Sequence, residues 1–347
     1  MSWRDLLRPL LPRFGKALWH RLQGDAVILA YHRVTTLPPG SDPYRLAVTP
    51  ATFDAQMEIL RRKFRPVSLY QIADSLLGGA PLPRRAVAVT FDDGYADNAL
   101  EAAPILIRHG VPAAFFVTSG MIENRDEFWW DDLERLVLAP VRLPDRFAPA
   151  WAEPFVWEAN DAGREDLPAE GAVFPRGISK GRRELFLRLS RMLKQLPREE
   201  QIARLDAVAE WSDFGLVREV RSNRRTMTAT ELLNLSRNPL FTIGAHTMTH
   251  PRLAALPPAA QREEIEGSKR DLEALLGRSV GMIAYPYGDP ASVGEAAPRA
   301  AREAGVTCGF TASGGYVRRG TDPFSVPRFF AYEWSQKEFL YELNRLL

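Results

Sequence analysis

The sequence contains very little cysteine, and this excludes two kinds of architecture. Cys308 is the only cysteine among the 347 residues. One thiol cannot form an intrachain disulfide, and one chain with one cysteine cannot assemble a metal site from thiolates. We therefore expect Cys308 to act as a small buried hydrophobic residue.

The chain also has little net charge. Its 45 lysines and arginines nearly balance 43 aspartates and glutamates, which leaves a formal charge of +2. This balance lacks the global basic bias typical of nucleic-acid-binding proteins, so we expect no nucleic-acid partner. The hydrophobic content of 46% is typical of a soluble globular core, and the length suits one large domain or two ordinary ones.

Long apolar runs are missing as well. Charged residues and prolines interrupt the leucines near the N-terminus, so this stretch lacks the uninterrupted apolar core of a secretory signal. No later run approaches the length of a membrane span. The expected location is therefore cytoplasmic.

Residues 1–24 form a basic amphipathic segment, in which leucines alternate with arginines at roughly helical spacing over residues 3–22. One interpretation is an interfacial helix, which would place the protein in peripheral contact with the inner face of a membrane. The alternative is a helix that packs its leucines on the domain and leaves its arginines in water.

Short apolar, β-branched runs alternate with helical patterns along most of the chain. Strands are predicted over 27–31, 86–91, 113–118, 241–245, 282–285 and 306–311, and helices over 50–63, 96–109, 258–276 and 295–304. This alternation predicts a parallel α/β architecture, either a barrel or an open sheet. The barrel domain would comprise residues 25–121 and 226–347.

Residues 122–225 break this rhythm, and we interpret them as an inserted, mainly helical subdomain. The segment is rich in Trp, Pro, Arg and Glu, and it has helical patterns at 180–196 and 199–210 with no clear strands. Its Trp129 and Trp130 would either stack on the rings of a ligand or anchor the insertion's own core.

The strongest local signal is the sequence TFDDG at residues 90–94. A strand leads directly into Asp92 and Asp93, and Gly94 permits a tight turn. Functional sites in α/β folds usually lie at the carboxyl ends of the strands. An Asx-type turn that caps the next helix would explain the same residues structurally.

A second signal follows another strand, where His246 and His250 lie four residues apart. On one turn of helix, this spacing lets both imidazoles face one metal ion. Together with one aspartate they would leave coordination positions open, as a catalytic metal site requires. The other aspartate would then serve as general base for metal-assisted hydrolysis.

Two weaker elements also follow predicted strands. His32 ends the first strand, and histidine is a residue type that can protonate a leaving amine, although a structural histidine would look the same. Residues 284–288 (AYPYG) form a turn in which the Tyr287 backbone N–H would face a developing oxyanion, unless this is an ordinary strand-to-helix turn.

These residues resemble the polysaccharide deacetylases with a NodB-homology domain, carbohydrate esterase family 4. The sequence TFDDG at 90–94 is similar to the first motif of that family, HTMTHP at 246–251 to the second, and YPYG at 285–288 to a variant of the third. The resemblance covers about residues 25–120 and 225–330.

The resemblance implies a distorted (β/α) barrel and assigns roles that the residue pattern left open. It makes Asp92 the general base, and it places the Tyr287 backbone amide in the oxyanion hole. It implies one divalent metal ion, commonly zinc, with cobalt or nickel also used. The implied metal ligands are Asp93, His246 and His250.

The chain departs from the family pattern at two places. The third motif of the family carries an arginine that orients the base, which is absent here, and we expect Arg328 to replace it. No histidine follows His250 to supply the acid of the last motif. In this respect the chain resembles the circularly permuted branch, similar to the poly-N-acetylglucosamine deacetylases, and His32 matches the displaced motif.

The implied function is metal-dependent removal of an N-acetyl group, or less typically an O-acetyl group, from a sugar. The substrate would be an N-acetylated cell-surface glycan or its lipid- or nucleotide-linked precursor. Two alternatives remain: a deacylase or deformylase of a non-carbohydrate amide, and a non-catalytic glycan-binding protein.

Overall fold

The structure of the chain is a computed structural model that describes residues 26–123, 126–140, 142–149, 151, 157–158, 172–174, 178–212 and 219–347. The predicted amphipathic segment 1–24, with its predicted membrane contact, lies outside the described residues. Within the part that is described, no helix combines the length and the apolar character needed to cross a membrane.

The strands that carry the fold are buried, and all six predicted strands are present with bounds shifted by at most two residues. The strands are β1 (Ala26–Tyr31), β2 (Arg33–Val34), β3 (Ala47–Val48), β4 (Arg65–Pro66), β5 (Ala86–Phe91), β6 (Ala113–Val117), β7 (Arg146–Phe147), β8 (Trp157–Glu158), β9 (Phe241–Ala245), β10 (Met282–Ala284), β11 (Cys308–Phe310) and β12 (Phe329–Phe330).

The main sheet is parallel and nearly closed. Its strand order is β11, β10, β9, β6, β5, β1, β12, with β4 also paired to β5. Residues 326–330 join the two sides of this sheet, because Val326 forms a bridge with Phe310 on β11 while Phe329 pairs with Leu29 on β1. The predicted distorted (β/α) barrel is therefore confirmed.

Helices follow the strands, and the helices predicted at 50–63, 96–109, 258–276 and 295–304 are all present with similar bounds. The α-helices of the described residues are α1 (Pro50–Lys63), α2 (Leu69–Leu76), α3 (Ala103–His109, preceded by a π-helical turn at Asn98–Ala102), α4 (Trp129–Leu133), α5 (Lys180–Leu193), α6 (Arg198–Trp211), α7 (Ala229–Ser236), α8 (Pro258–Leu276), α9 (Pro290–Val293), α10 (Ala296–Glu303) and α11 (Gln336–Leu346). Helix α1 begins as its sequence predicts, with Thr49 accepting a hydrogen bond from the Thr52 amide and Pro50 in the first turn.

Alternate residues of each strand face two different apolar clusters. Val27, Leu29 and Tyr31 pack in a cluster that includes residues of α1, α3, α8, α10 and α11. Ala26 and Ile28 belong instead to a second cluster with residues of β5, β6, β10 and β11. Cys308 is buried in that second cluster, as expected for a small hydrophobic residue. Because both faces are covered, the strands appear as continuous apolar runs in the sequence.

The region 122–225 has an apolar core of its own. Helices α4, α5 and α6 supply most of that core, and Tyr95 and Tyr287 of the barrel region pack into it or against it. The sequence indicated no strands here, but the structure describes a two-residue antiparallel pair, β7 with β8. Strands of two residues are too short to show a periodic pattern. The division into barrel and inserted subdomain stays a prediction.

Candidate active site

The turn after β5 presents two carboxylates. Asp93 and Gly94 both have positive φ, 72° and 85°, and the Gly94 amide donates to the Asp92 carbonyl at 2.9 Å. A Cβ on Gly94 would come within 2.9 Å of a Val117 methyl group, so glycine is needed here for space as well as for conformation. Neither carboxylate caps a helix, since the following helical turn begins after Asp97 without a side-chain cap.

The two histidines after β9 lie on a loop. The four-residue spacing would bring the imidazoles together on one turn of helix, but here the backbone is not helical, because Thr247 and His250 have φ values of 64° and 60°. The carboxylate of Glu264, on α8, accepts hydrogen bonds from the amides of Met248 and Thr249 at 2.8 and 2.9 Å. A loop held in this way brings both imidazoles together without helical geometry.

Asp93, His246 and His250 offer one oxygen and two nitrogens that lie within 4.8 Å of one another. The Nε2 atoms of both histidines lie 3.4 Å from Asp93 Oδ1, too far for good hydrogen bonds, and all three residues are at most 6% exposed. Asp93 Oδ1 has no hydrogen-bond partner among the described residues. A buried carboxylate oxygen without a partner, facing two imidazole nitrogens, fits a divalent cation.

The surroundings of the two imidazoles also fit a metal ion. His246 Nδ1 lies 2.8 Å from the Ala284 carbonyl, which makes Nδ1 the protonated nitrogen and leaves Nε2 for a metal. Burial lowers the pKa of His250 to about 3, so this ring is neutral. Burial would also lower the pKa of His246, but Asp92 and Asp93 raise it above its ordinary value. Such surplus negative charge is what a divalent cation would neutralise.

Asp92 forms a bidentate ion pair with Arg328, the residue predicted to replace the family's arginine. The two oxygens accept from Arg328 Nη1 and Nη2 at 2.6 and 2.7 Å, and Arg328 is fully buried. The guanidinium also donates to Thr90 Oγ1 and to the Thr311 carbonyl. Burial would raise the pKa of Asp92, but the Arg328 and His246 charges hold this pKa well below its ordinary value. Asp92 is therefore an ionised, oriented carboxylate.

His32 and Tyr287 lie at the same end of the barrel. His32 directly follows β1 and stacks on Phe330, with ring centroids 5.5 Å apart. Tyr287 has a φ of 61°, and its ring centroid lies 4.9 Å from that of the His250 ring. Its backbone amide donates to no acceptor within the described part of the chain. Strained positive-φ residues are concentrated at functional sites.

These residues share one cavity of about 550 Å³. It is lined by His32, Asp92, Asp93, His246, His250 and Tyr287, whereas Arg328 lies behind Asp92 and does not reach the cavity. The structure thus brings together residues from separate strand ends. Helix α5 of the predicted insertion forms another part of the wall through Ser190 and Arg191, and Lys194 and Gln195 continue that wall just beyond the helix.

Sequence reasoning missed how Trp130 is held beside the candidate metal site. Its ring contacts His250 at 4.9 Å, and its indole N–H donates to the Tyr95 hydroxyl at 2.9 Å. That hydroxyl donates to Asp131, which also pairs with Arg224 at 2.8 Å. Trp129 and Trp130 are both buried in the core of the region 122–225, which fits the interpretation as core anchors. They also line the cavity, and their stacking on a ligand stays a prediction. A buried acid beside paired tryptophans, WWDD at 129–132, was the available signal.

The sequence matches the family described as polysaccharide deacetylase over residues 79–144 and 218–309. A curated relative, the poly-beta-1,6-N-acetyl-D-glucosamine N-deacetylase of Escherichia coli K12, is 34% identical over 99 residues. The aligned region is 28% of this chain and only 14% of that relative, so the chain spans a small part of its length.

Solved structures of similar fold cover nearly the whole chain. Streptococcus pyogenes deacetylase PplD in complex with acetate has a TM-score of 0.57 at 16% identity and covers 92% of this chain and 97% of its own. IcaB from Ammonifex degensii has a TM-score of 0.55 at 20% identity and covers 93% and 96%. At sequence identities this low, the structural similarity shows a shared barrel fold and nothing more. The relation to a circularly permuted branch stays a prediction.

Metal content tests the three-ligand site. We expect about one divalent ion per wild-type chain, and loss of that ion in Asp93→Asn and in His250→Ala, because each substitution removes one of three protein ligands. Mass spectrometry of dialysed protein measures the ion. His109→Ala is the matched control, since His109 pairs with the half-exposed Asp54 and does not line the cavity. Full metal content in both ligand variants would contradict the assignment.

Arg328→Met tests the buried ion pair. Asp92 would keep its burial but lose the charge that lowers its pKa, so we expect unfolding at pH 7 to cost about 3–5 kcal/mol less than in wild type. In wild type, the pKa of Asp92 is lower in the folded chain than in the unfolded chain, where it is about 3.9, and this difference stabilises the fold at pH values above 3.9. That stability is lost as the pH falls towards the pKa that Asp92 has in the folded chain. In the variant, burial raises the pKa of Asp92, so protonation relieves the penalty at low pH. Urea unfolding near pH 7 and pH 5 should therefore show a smaller difference in unfolding free energy between wild type and Arg328→Met at pH 5 than at pH 7. The control Arg62→Met, which changes an exposed surface arginine, should have the unfolding free energy of wild type at both pH values. An equal difference in unfolding free energy at both pH values would argue against the uncompensated charge of Asp92 as the cause of the lost stability.

Proposed function

Because this chain carries a polysaccharide deacetylase domain, we propose that it is a metal-dependent hydrolase that removes the N-acetyl group of a sugar. The observation that carries the proposal is the arrangement in one cavity of the Asp93, His246 and His250 donors beside the Asp92–Arg328 pair. Metal-assisted amide hydrolysis needs a metal site with open coordination positions and a carboxylate beside it that can act as general base.

Asp93, His246 and His250 would hold one divalent ion, most typically zinc, with cobalt or nickel as substitutes. When bound, such an ion polarises the carbonyl under attack and lowers the pKa of a water molecule. The protein contributes the ligand orientation through the Ala284 carbonyl that accepts from His246, and through Trp130 and Tyr287, whose rings pack against His250.

The remaining steps belong to residues of the chain. Asp92, kept ionised by Arg328, takes the proton of the attacking water. The backbone N–H of Tyr287 donates to the oxyanion of the tetrahedral intermediate. His32 then protonates the leaving amine, so that acetate and a free amino sugar are released.

The proposed substrate is an N-acetylated cell-surface glycan or its lipid- or nucleotide-linked precursor. The curated relatives are named for a polymer of N-acetylglucosamine, which supports an N-acetylhexosamine as the reacting unit. The leucines and arginines of residues 3–22 suit a location at the inner face of a membrane.

Two other functions fit the site less well. Deacylation or deformylation of a small non-carbohydrate amide needs the same groups, but a cavity of about 550 Å³ is sized for a larger ligand such as a sugar. A glycan-binding protein without activity has no need of a buried carboxylate and arginine, whose desolvation is costly.

Asp92→Asn tests the base. We expect acetate release from N-acetylglucosamine oligomers to fall by about 10²–10⁴ because the amide cannot accept the proton of water. Metal content should stay at the wild-type level, since Asp92 is not a proposed ligand. Asp54→Asn, a substitution of a half-exposed surface carboxylate, should keep full activity. Substantial turnover by purified Asp92→Asn would refute the scheme.

His32→Gln tests the acid through the leaving group. We expect acetate release from an N-acetyl sugar to fall by about 10² or more, because an amine must be protonated to leave. An aryl acetate, whose phenolate leaves without protonation, should lose far less activity. His109→Gln is the matched histidine control. An equal loss on both substrates would show that His32 does not act as the acid.

A further inference from the structure

Positive charge surrounds the mouth of the cavity, outside the reacting groups. Four basic side chains line it, and we call them the cationic rim: Arg45, Arg191, Lys194 and Arg252. The only carboxylate lining the cavity besides Asp92 and Asp93 is that of Asp289, among the residues that the structure describes. The rim therefore carries more positive than negative charge.

The contacts of Lys194 and Arg252 leave their charge largely uncompensated. Lys194 Nζ lies 4.4 Å from the Tyr287 ring centroid and 3.9 Å from Asp289 Oδ2, at the limit of an ion pair. Arg252 donates to the uncharged Gln195 side chain and to the Ala291 carbonyl.

Arg45, from a distant part of the chain, is held in an unusual backbone conformation. Its guanidinium lies 4.7 Å from the Tyr332 ring centroid, and its φ is 57°. The Asp42 carboxylate fixes this turn by accepting from the amides of Leu46 and Ala47 at 2.9 Å. Neither Arg45 nor Arg252 forms an ion pair within the described part of the chain. A non-glycine residue with positive φ costs energy, which a functional side chain at that position would explain.

Two of the three carboxylates that line the cavity have partners among the described residues, and the third, Asp93, belongs to the proposed metal site. Arg328 compensates Asp92. Asp289 caps α9 by accepting from the Ser292 amide and hydroxyl at 2.9 and 2.6 Å. The positive charge of Arg45, Lys194 and Arg252 is therefore available to a ligand in a partly enclosed cavity, where water screens it less than on an open surface.

The cationic rim is close to the proposed metal site. Tyr287 makes the connection, because its ring contacts both Lys194 and the ring of His250. An anionic group on the reacting sugar, or on the unit directly attached to it, would therefore reach Lys194 while the acetamido group occupies the site.

We propose that the substrate carries an anionic group, a phosphate or a carboxylate, on or next to the N-acetylated sugar, and that the cationic rim binds it. This proposal rests on the proposed deacetylase function and deepens it, since a neutral polymer of N-acetylglucosamine would not use the rim. A phosphate would come from a lipid- or nucleotide-linked precursor, and a carboxylate from an acidic sugar of a glycan.

Three compounds that share the N-acetylglucosamine unit and differ in the anionic group test the proposal: a neutral methyl glycoside, a methyl phosphodiester at the anomeric position, and a derivative with a carboxylate on the sugar. For wild type we expect kcat/KM on one of the anionic compounds to exceed that on the neutral one by about tenfold, through a lower KM. The compound preferred, phosphodiester or carboxylate, identifies the source of the anion. High salt should shrink the advantage.

The double variant Lys194→Gln/Arg252→Gln should lose most of this advantage, because its kcat/KM should fall much more on the preferred anionic compound than on the neutral glycoside. The matched control Arg62→Gln/Arg270→Gln removes two exposed surface arginines and should behave as wild type. Equal kcat/KM on all three compounds, or an equal loss on all three in the double variant, would overturn the proposal and leave the deacetylase function standing.

Calorimetric binding of the three deacetylated products separates the two hypotheses. Tighter binding of an anionic product by wild type than by Lys194→Gln/Arg252→Gln supports the cationic rim even if no acetate is released. In that case the proposed reaction fails and the anion site remains. Acetate release together with charge-independent binding of the products would instead support the reaction and overturn the anion site.

Discussion

The buried ion pair between Asp92 and Arg328 is the interaction on which the rest of the site depends. Two charges removed from water are stable only as a well-made pair, and here both carboxylate oxygens accept from a guanidinium that also donates to Thr90. The pair forms only when residues 326–330 join the two sides of the sheet, because Arg328 lies within that segment and Asp92 follows β5. The contacts that join the two sides of the sheet and the ion pair that orients Asp92 therefore form together.

Much of this architecture could be predicted from the sequence for simple physical reasons. Strands buried on both faces appear as short apolar runs, and helices between them show their own periodicity, so the order of the main elements could be identified. The carboxyl ends of parallel strands converge, which is why polar residues directly after apolar runs, such as Asp93 and His246, predicted one shared site. Arg328 could be suggested because it lies beside the last short strand.

Other features depend on contacts between distant segments, which periodicity does not encode. The loop at His246–His250 takes its shape from positive φ values and from Glu264, which lies on another element. The support of Trp130 by Tyr95 and Asp131, and the cationic rim assembled from separate segments, arise only in the folded chain. Local sequence signals placed the donor atoms, whereas tertiary packing determined what surrounds them.

The late position of residues 326–330 in the chain has a consequence for the order of events during synthesis. β1, β5, β6, β9 and β10 leave the ribosome before Arg328 does, and the ligands at positions 93, 246 and 250 with them. Until the segment that carries Arg328 emerges, Asp92 lacks the cation that compensates its charge. A nascent chain can thus bring the proposed metal ligands together before it contains the cation that orients the proposed base.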